Sequence, residues 1–208
     1  MEDAVRKCIL QADKDFLEHA VSAELADGTT ATVAIVKDKE LLVANVGDSE
    51  AVLAARDGEL KAISMSNIHC VKENPDEVER VKAAGGLIYR NRVGHPALNP
   101  AYFSIGVSRA IGDLMFKHPH YTDSKESGII ADPEFKQVVL EEDKHSFLIL
   151  ACDGLWGSMN HQQAVDIVGA CLAERADDAD AAAAALVDKA LEEGSLDNVT
   201  AMVIIFKW

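Results

Sequence analysis

Three aspartates sit at strand or turn ends with a glycine nearby. They are Asp48 in Val46-Gly-Asp-Ser49, Asp153 in Leu150-Ala-Cys-Asp-Gly154, and Asp197 in Gly194-Ser-Leu-Asp-Asn198. A neighbouring glycine lets the backbone come close to a ligand, and hard divalent cations take carboxylate and carbonyl oxygens. An Asp beside a Gly is also an ordinary turn, so each residue alone reads equally as a turn. Capping strands of one sheet assembly, the three can converge on a single hard cation. A fourth acid, Asp113, ends the run Ser108-Arg-Ala-Ile-Gly-Asp113. There Arg109 either holds the loop through carboxylates or meets a substrate. The four cysteines (Cys8, Cys70, Cys152, Cys171) form no C-x-x-C pair. Neither a zinc knuckle nor a disulfide framework follows, and Cys152 and Cys171, in apolar runs, read as reduced core residues. Asp177-Asp-Ala-Asp180 lacks the central Gly and terminal Glu of a calcium loop.

The elements that must position these acids come from periodicity and turn chemistry. Val5, Ile9, Ala12 and Phe16 recur at helical spacing and predict a helix over 4–20, with Glu2 and Asp3 favouring its N-terminus. Thr29–Val36, Glu40–Val46, Ala51–Ala55 and Glu59–Ser64, punctuated by Asp38-Lys39 and Asp57-Gly58, predict an antiparallel meander. A helix starts at Pro75 and stops at Gly85-Gly86, and Leu87–Tyr89 reads as a short strand. Residues 90–132 are aperiodic and read as a long functional loop region with a short helix near Ser108–Gly112. His95, His118 and His120 fall there; they are read as surface residues, with assistance in proton transfer as the alternative. Lys136–Leu140, Ser146–Ala151 and Asn198–Lys207 predict strands, and Gln162–Arg175 and Ala179–Glu192 predict helices. The fold class expected is α+β, a two-sheet antiparallel β-sandwich flanked by helices, in a single domain over 1–208.

Composition narrows the function. The chain has 208 residues, 49% hydrophobic and 26% charged, which is a globular balance. Its 35 acids against 20 bases give a net charge of −15, opposite to what a nucleic-acid surface needs. No apolar run spans a bilayer and no secretory signal opens the chain. The expected address is intracellular, cytoplasmic or nuclear, with neither nucleic acid nor membrane as partner.

The order of motifs resembles the metal-dependent protein serine/threonine phosphatases of type 2C. The matching blocks are Asp27-Gly-Thr-Thr-Ala31, Val43-Ala-Asn-Val-Gly-Asp-Ser49 with Ala51-Val-Leu53, Glu79-Arg-Val-Lys-Ala-Ala-Gly-Gly86, Val107-Ser-Arg-Ala-Ile-Gly-Asp113, Ala131-Asp-Pro-Glu134, Leu150-Ala-Cys-Asp-Gly-Leu-Trp156 and Asp197-Asn198. The resemblance implies hydrolysis of phosphoserine and phosphothreonine in a phosphorylated protein substrate, with Mg²⁺ or Mn²⁺ activating a water. It implies that Asp153 and Asp197 are metal ligands and that Asp48 joins a third metal. No catalytic residue beyond these ligands is assigned.

The chain departs from the family pattern in several places. The opening region, with its phosphate-gripping Arg and D-G-H-G-G block, has no counterpart in this sequence, so the domain is expected to be incomplete at its N-terminus. Gly157 stands where the family commonly has a second Asp, Glu50 replaces a base, and the D-H-K-P block reads Asn67-Ile-His-Cys70. Activity is therefore expected to be impaired. The alternative is a catalytically inactive phosphatase-like module that binds a protein partner, a pseudophosphatase. Unpaired sheet edges are expected to make the chain marginally stable, to join it as a homodimer, or to pair it with a separate opening segment.

Overall fold

The computed structural model describes residues 1–207. In chain order the elements are α1 (Glu2–Ala23), β1 (Gly28–Thr29), β2 (Ala31–Lys37), β3 (Glu40–Val46), β4 (Glu50–Asp57), β5 (Glu59–Ser64), α2 (Pro75–Ala83), β6 (Leu87–Tyr89), β7 (Arg92–Gly94), β8 (Ser104–Ile105), β9 (Ile111–Gly112), α3 (Leu114–Lys117), α4 (Pro119–Thr122), β10 (Glu134–Val139), β11 (His145–Ala151), α5 (Asp153–Trp156), α6 (His161–Glu174), α7 (Ala179–Glu192) and β12 (Ala201–Ile205). Each paired strand ladder with a defined register is antiparallel, so the α+β class expected from sequence holds. The residues fall into two compact units. One gathers Met1–Ala31, Ala44–Asp48 and Ile68–Glu134; the other gathers Thr32–Val43, Ser49–Asn67 and Phe135–Trp208.

The second unit carries the sandwich. A four-stranded sheet runs β12-β11-β4-β5, and a three-stranded sheet runs β10-β3-β2. Strand β4 is buried from Glu50 to Ala55 because both its faces are covered. Side chains alternate across a strand, so Val52 and Ala54 face one cluster and Ala51 and Leu53 the other. The first cluster adds Phe147 and Ile149 of β11 to Val165 and Val168 of α6 and Leu186 of α7, which lays the helix pair on the sheet. The second joins Leu53 and Leu148 to Leu41 and Val43 of β3, which closes the two sheets face to face. Helix α6 starts on a capping box in which Asn160 and Gln163 satisfy each other's free backbone donors. Turn chemistry sets the hairpins: Asp38 and Lys39 both take positive φ, as does Gly58. Exposed Val36 and Val139 lie on the two edge strands of the smaller sheet.

The first unit is built on α1, the β6-β7-β8 sheet and the small β1-β9 pair. Its core is Val71, Val81, Val93, Ala110 and Ile129. The acidic first turn of α1 is as expected, with Glu2 and Asp3 against the helix dipole. Asn74 caps α2 by accepting the N–H groups of Asp76 and Glu77, and Pro75 takes the first turn.

Three expectations are corrected in detail. The run near Ser108–Gly112 is not helical: Arg109 bridges to Ile130, and Ile111–Gly112 pairs with β1. Gly112 and Asp113 both have positive φ, which bars a helix there and turns the chain into α3 two residues later. His95 is not a surface residue; it is 1% exposed, with Nδ1 accepting from Ala97 and Leu98 and Nε2 on the Met115 carbonyl. Cys152 and Cys171 are only half-buried, and Cys70 is the buried cysteine; all four thiols are free. No helix among the described residues is long and apolar enough to cross a membrane.

Candidate metal centre and the loops that frame it

Strand β11 is buried along most of its length and ends at Ala151, where the chain turns through Cys152 into the short helix α5. The turn brings the Asp153 side chain out of the sheet into solvent. Strand β12 pairs with β11 through Ala151↔Ala201, so the segment entering β12 lies beside the segment leaving β11. That register sets Asp197 near Asp153 although 44 positions separate them in sequence. Both carboxylates line one open groove of about 600 Å³, with Gly154, Gly157, Ser158, Glu193 and Ser195 among its walls. One oxygen of Asp197 accepts the Asn198 N–H at 2.7 Å, which orients the group.

The charge of this groove is one-sided. Its lining carries Asp153, Glu193 and Asp197 and no lysine or arginine. Glu193 is neutralised at the rim by Lys189 at 2.8 Å, and the hydrogen bond from that ammonium holds its carboxyl below the usual range. Asp153 and Asp197 share no such cation among the groove's walls. Two exposed carboxylates facing one space fit a hard divalent ion, which commonly takes one or two carboxylates and completes its shell with water and phosphate oxygens. Among the described residues no three His, Cys, Asp or Glu side chains gather as a metal-holding set, so this pair is the donor set on which the fit rests.

Asp48 belongs to the other compact unit, where it is half-buried after Gly47. Gly47 takes φ +104, and a Cβ there would overlap the Thr30 side chain, so only glycine fits. Buried His69 grips this turn twice: its N–H donates to the Gly47 carbonyl at 2.9 Å, and its Nδ1 accepts the Gly47 N–H at 3.1 Å. With Nδ1 accepting, the proton sits on Nε2, which faces Glu134 at 3.4 Å. Burial, then nearby Arg109, push the His69 pKa down despite Glu134.

The same unit contains an ion cluster that sequence spacing does not reveal. Arg109 gives Nε and Nη2 to Glu77, Nη2 to Glu134 at 2.6 Å, and Nη1 to the Asp132 carbonyl. The guanidinium is therefore engaged on every side, and Arg109 holds its loop. Glu77, 2% exposed, also accepts from Arg80 and from the Ser108 hydroxyl. Burial alone would raise the Glu77 carboxyl, but hydrogen bonds from Arg80, Arg109 and Ser108 outweigh it and hold the group well below the carboxylate range. Asp113 likewise shapes the fold: its N–H donates to the Asp27 carbonyl and its carboxylate lies against Gly28, which has no room for a Cβ. Burial raises the Asp113 carboxyl against the opposing pull of Lys117. Glu77 was missed because an acid in the first turn of an amphipathic helix reads as a solvated charge; the paired Arg80 three residues on was the signal available.

Comparison with known proteins decides the family. Residues 1–199 match the family described as Protein phosphatase 2C. The chain belongs to the protein phosphatase 2C family. Its relatives include the mitochondrial protein phosphatase 1K of Xenopus laevis, 37% identical over 99% of this chain and 51% of that protein. The probable protein phosphatase 2C 47 of Oryza sativa subsp. japonica is 39% identical over 99% of this chain and 48% of its own length. The chain thus spans about half the length of these protein phosphatase 2C relatives. The fold agrees with a solved serine-threonine phosphatase 2C from Toxoplasma gondii, with TM-score 0.80 at 23% identity over 99% of this chain and 67% of that one.

Proposed function

We propose that this protein phosphatase 2C domain hydrolyses phosphoserine and phosphothreonine in proteins, using Mg²⁺ or Mn²⁺ held by Asp153 and Asp197. The observation that carries this is the one-sided charge of the groove. A phosphate monoester approaching Asp153 and Asp197 is repelled unless a cation lies between. Asp153 and Asp197 bind that cation. The Asn198 N–H keeps one Asp197 oxygen oriented. Gly154 and Gly157 leave the groove floor without side chains, so a substrate oxygen can approach the carboxylates. The chemistry a bound metal supplies is a water of lowered pKa and neutralisation of the phosphate charge. Asp48 is assigned to a further metal on the strength of the motif alone.

A second reading is a catalytically inactive module that binds a protein partner. It is favoured by Gly157, which lines the groove and brings no ligand of its own. In either reading the partner is a protein, and the exposed valines on the edge strands support a homodimer.

The test is phosphate release from a phosphothreonine peptide with Mn²⁺, comparing the chain with Asp153→Asn. The expected result is Mn²⁺-dependent release that falls by about 100-fold or more in the variant. Release no greater than in the presence of EDTA overturns hydrolysis and leaves the inactive module.

A further inference from the structure

The turn after β11 and the loop before β12 are fastened to each other by more than strand pairing. The Cys152 N–H donates to the Thr200 carbonyl at 3.2 Å, which carries the ladder one residue past Ala151. The Cys152 thiol then bridges the same loop twice. Its Sγ donates to the Asn198 carbonyl at 3.2 Å and accepts the Thr200 N–H at 3.2 Å. Ser195 Oγ donates to the Gly154 carbonyl at 2.8 Å from the far end of the loop. Between these links the backbones touch: a Cβ on Gly154 would overlap the Asn198 carbonyl oxygen, and it would come within 3.5 Å of the Asp197 Cβ. Asp153 and Asp197 each lie between two of these fastened residues.

We infer that Cys152, Gly154 and Ser195 form a bolt that sets the spacing of the Asp153 and Asp197 carboxylates, with Cys152 as its main positioning residue. This rests on the metal-binding reading above and deepens it. Both carboxylates are exposed, Asp153 at the first residue of α5 and Asp197 on the loop before β12, and the core packing of Leu155 and Val199 anchors their neighbours but not the carboxylates themselves. A cation held by two carboxylates needs them at a set distance, and loop drift costs affinity. A thiol suits the link because it both donates and accepts weakly, joining the Asn198 carbonyl and the Thr200 N–H, which a methyl group would leave to water. Gly154 is required for lack of space: any side chain forces the Asn198 carbonyl, and Asp197 with it, away from Asp153.

The experiment uses the intact chain with Cys152→Ala, Cys152→Ser and Gly154→Ala. Two readings are taken: Mn²⁺ affinity by calorimetry, and exchange of the Thr200 amide hydrogen by NMR without metal. Cys152→Ala and Gly154→Ala are expected to weaken Mn²⁺ binding about 5–10-fold, the equivalent of one or two such bonds. Exchange at Thr200 rises in parallel. Cys152→Ser, which restores a donor and acceptor, recovers most of both. Unchanged affinity and unchanged exchange in Cys152→Ala overturn the bolt. Loss of affinity that serine does not recover overturns the role assigned to the thiol. A parent chain that binds no Mn²⁺ sinks the metal reading, and the exchange comparison then decides the bolt by itself.

Discussion

Replacing Glu77 by Gln is expected to be among the most costly single substitutions in the first compact unit. The carboxylate is 2% exposed and takes hydrogen bonds from Arg80, Arg109 and Ser108. Gln keeps the shape and one acceptor oxygen but presents an NH₂ group to two guanidinium groups that need acceptors. Arg109, 6% exposed, is then left with Glu134 and the Asp132 carbonyl. Breaking a buried ion pair from one side costs about 3–5 kcal/mol, a large part of the ~5–15 kcal/mol that holds a domain folded. Arg80→Ala is expected to cost less, about 1–2 kcal/mol, because that side chain is 24% exposed and Glu77 keeps Arg109 and Ser108 as donors. Urea unfolding followed by circular dichroism measures both. The pH dependence gives an independent check. The folded-state pKa of Glu77 lies below its ordinary 4.5, so the stabilisation is complete above about pH 4.5 and is lost as pH falls towards the depressed value. Glu77→Gln removes that acid-limb slope. A cost under about 1 kcal/mol at pH 7, or an unaltered slope below pH 4.5, refutes the argument that this cluster ties α2 to the Arg109 loop.

His69 and His145 both have pKa values lowered mainly by burial, so unfolding releases groups that take up protons near pH 6.5. Stability is expected to fall between pH 7.5 and 5.5, with His69→Gln shallower than the parent; a flat urea midpoint over that range contradicts this. Lys117 donates to Asp13 and to the Ala110 carbonyl at 2.7 and 2.6 Å with its side chain 9% exposed, and Lys117→Met is expected to cost about 2–3 kcal/mol in the same assay. Gly47→Ala combines positive φ with overlap on Thr30 and is expected to destabilise by more than about 1 kcal/mol, measured by thermal melting. Val139→Lys on an edge strand is expected to shift a dimer towards monomer in light scattering; an unchanged mass removes that edge as an association surface.

The sandwich strands and the paired helices were legible because their signals are local. The apolar run around Leu53, the Asp57-Gly58 turn and the Gly85 stop each act within a few residues, and the structure places β4, β5 and α2 accordingly. The positions of Asp153 and Asp197 in the fold were legible for the same reason: one follows β11 beside Gly154 and the other leads into β12. What the sequence hid depends on distance along the chain. Glu77 and Arg109 are 32 positions apart and Ser108 is 31 from Glu77, so no periodicity announces their meeting. The extended pairing of the Val107–Gly112 run was hidden because its partners, Gly28, Thr29, Cys70 and Ile130, lie far away in sequence. The roles of Cys152 and Ser195 were also hidden, since a thiol in an apolar run reads as packing until the register of β12 is known.

The two compact units are interleaved along the chain: the first is written in three stretches, and so is the second. Neither can be inherited, expressed or cut out as one continuous fragment. A message that terminates after Glu134 would encode every residue of the first unit. It would also encode β3, β4 and β5 without β11, against which Leu53 packs and β4 pairs. Such a product translates its own aggregation hazard ahead of the strand that would cover it, so the ribosome must reach β11 before the nascent sandwich can bury what it has already exposed.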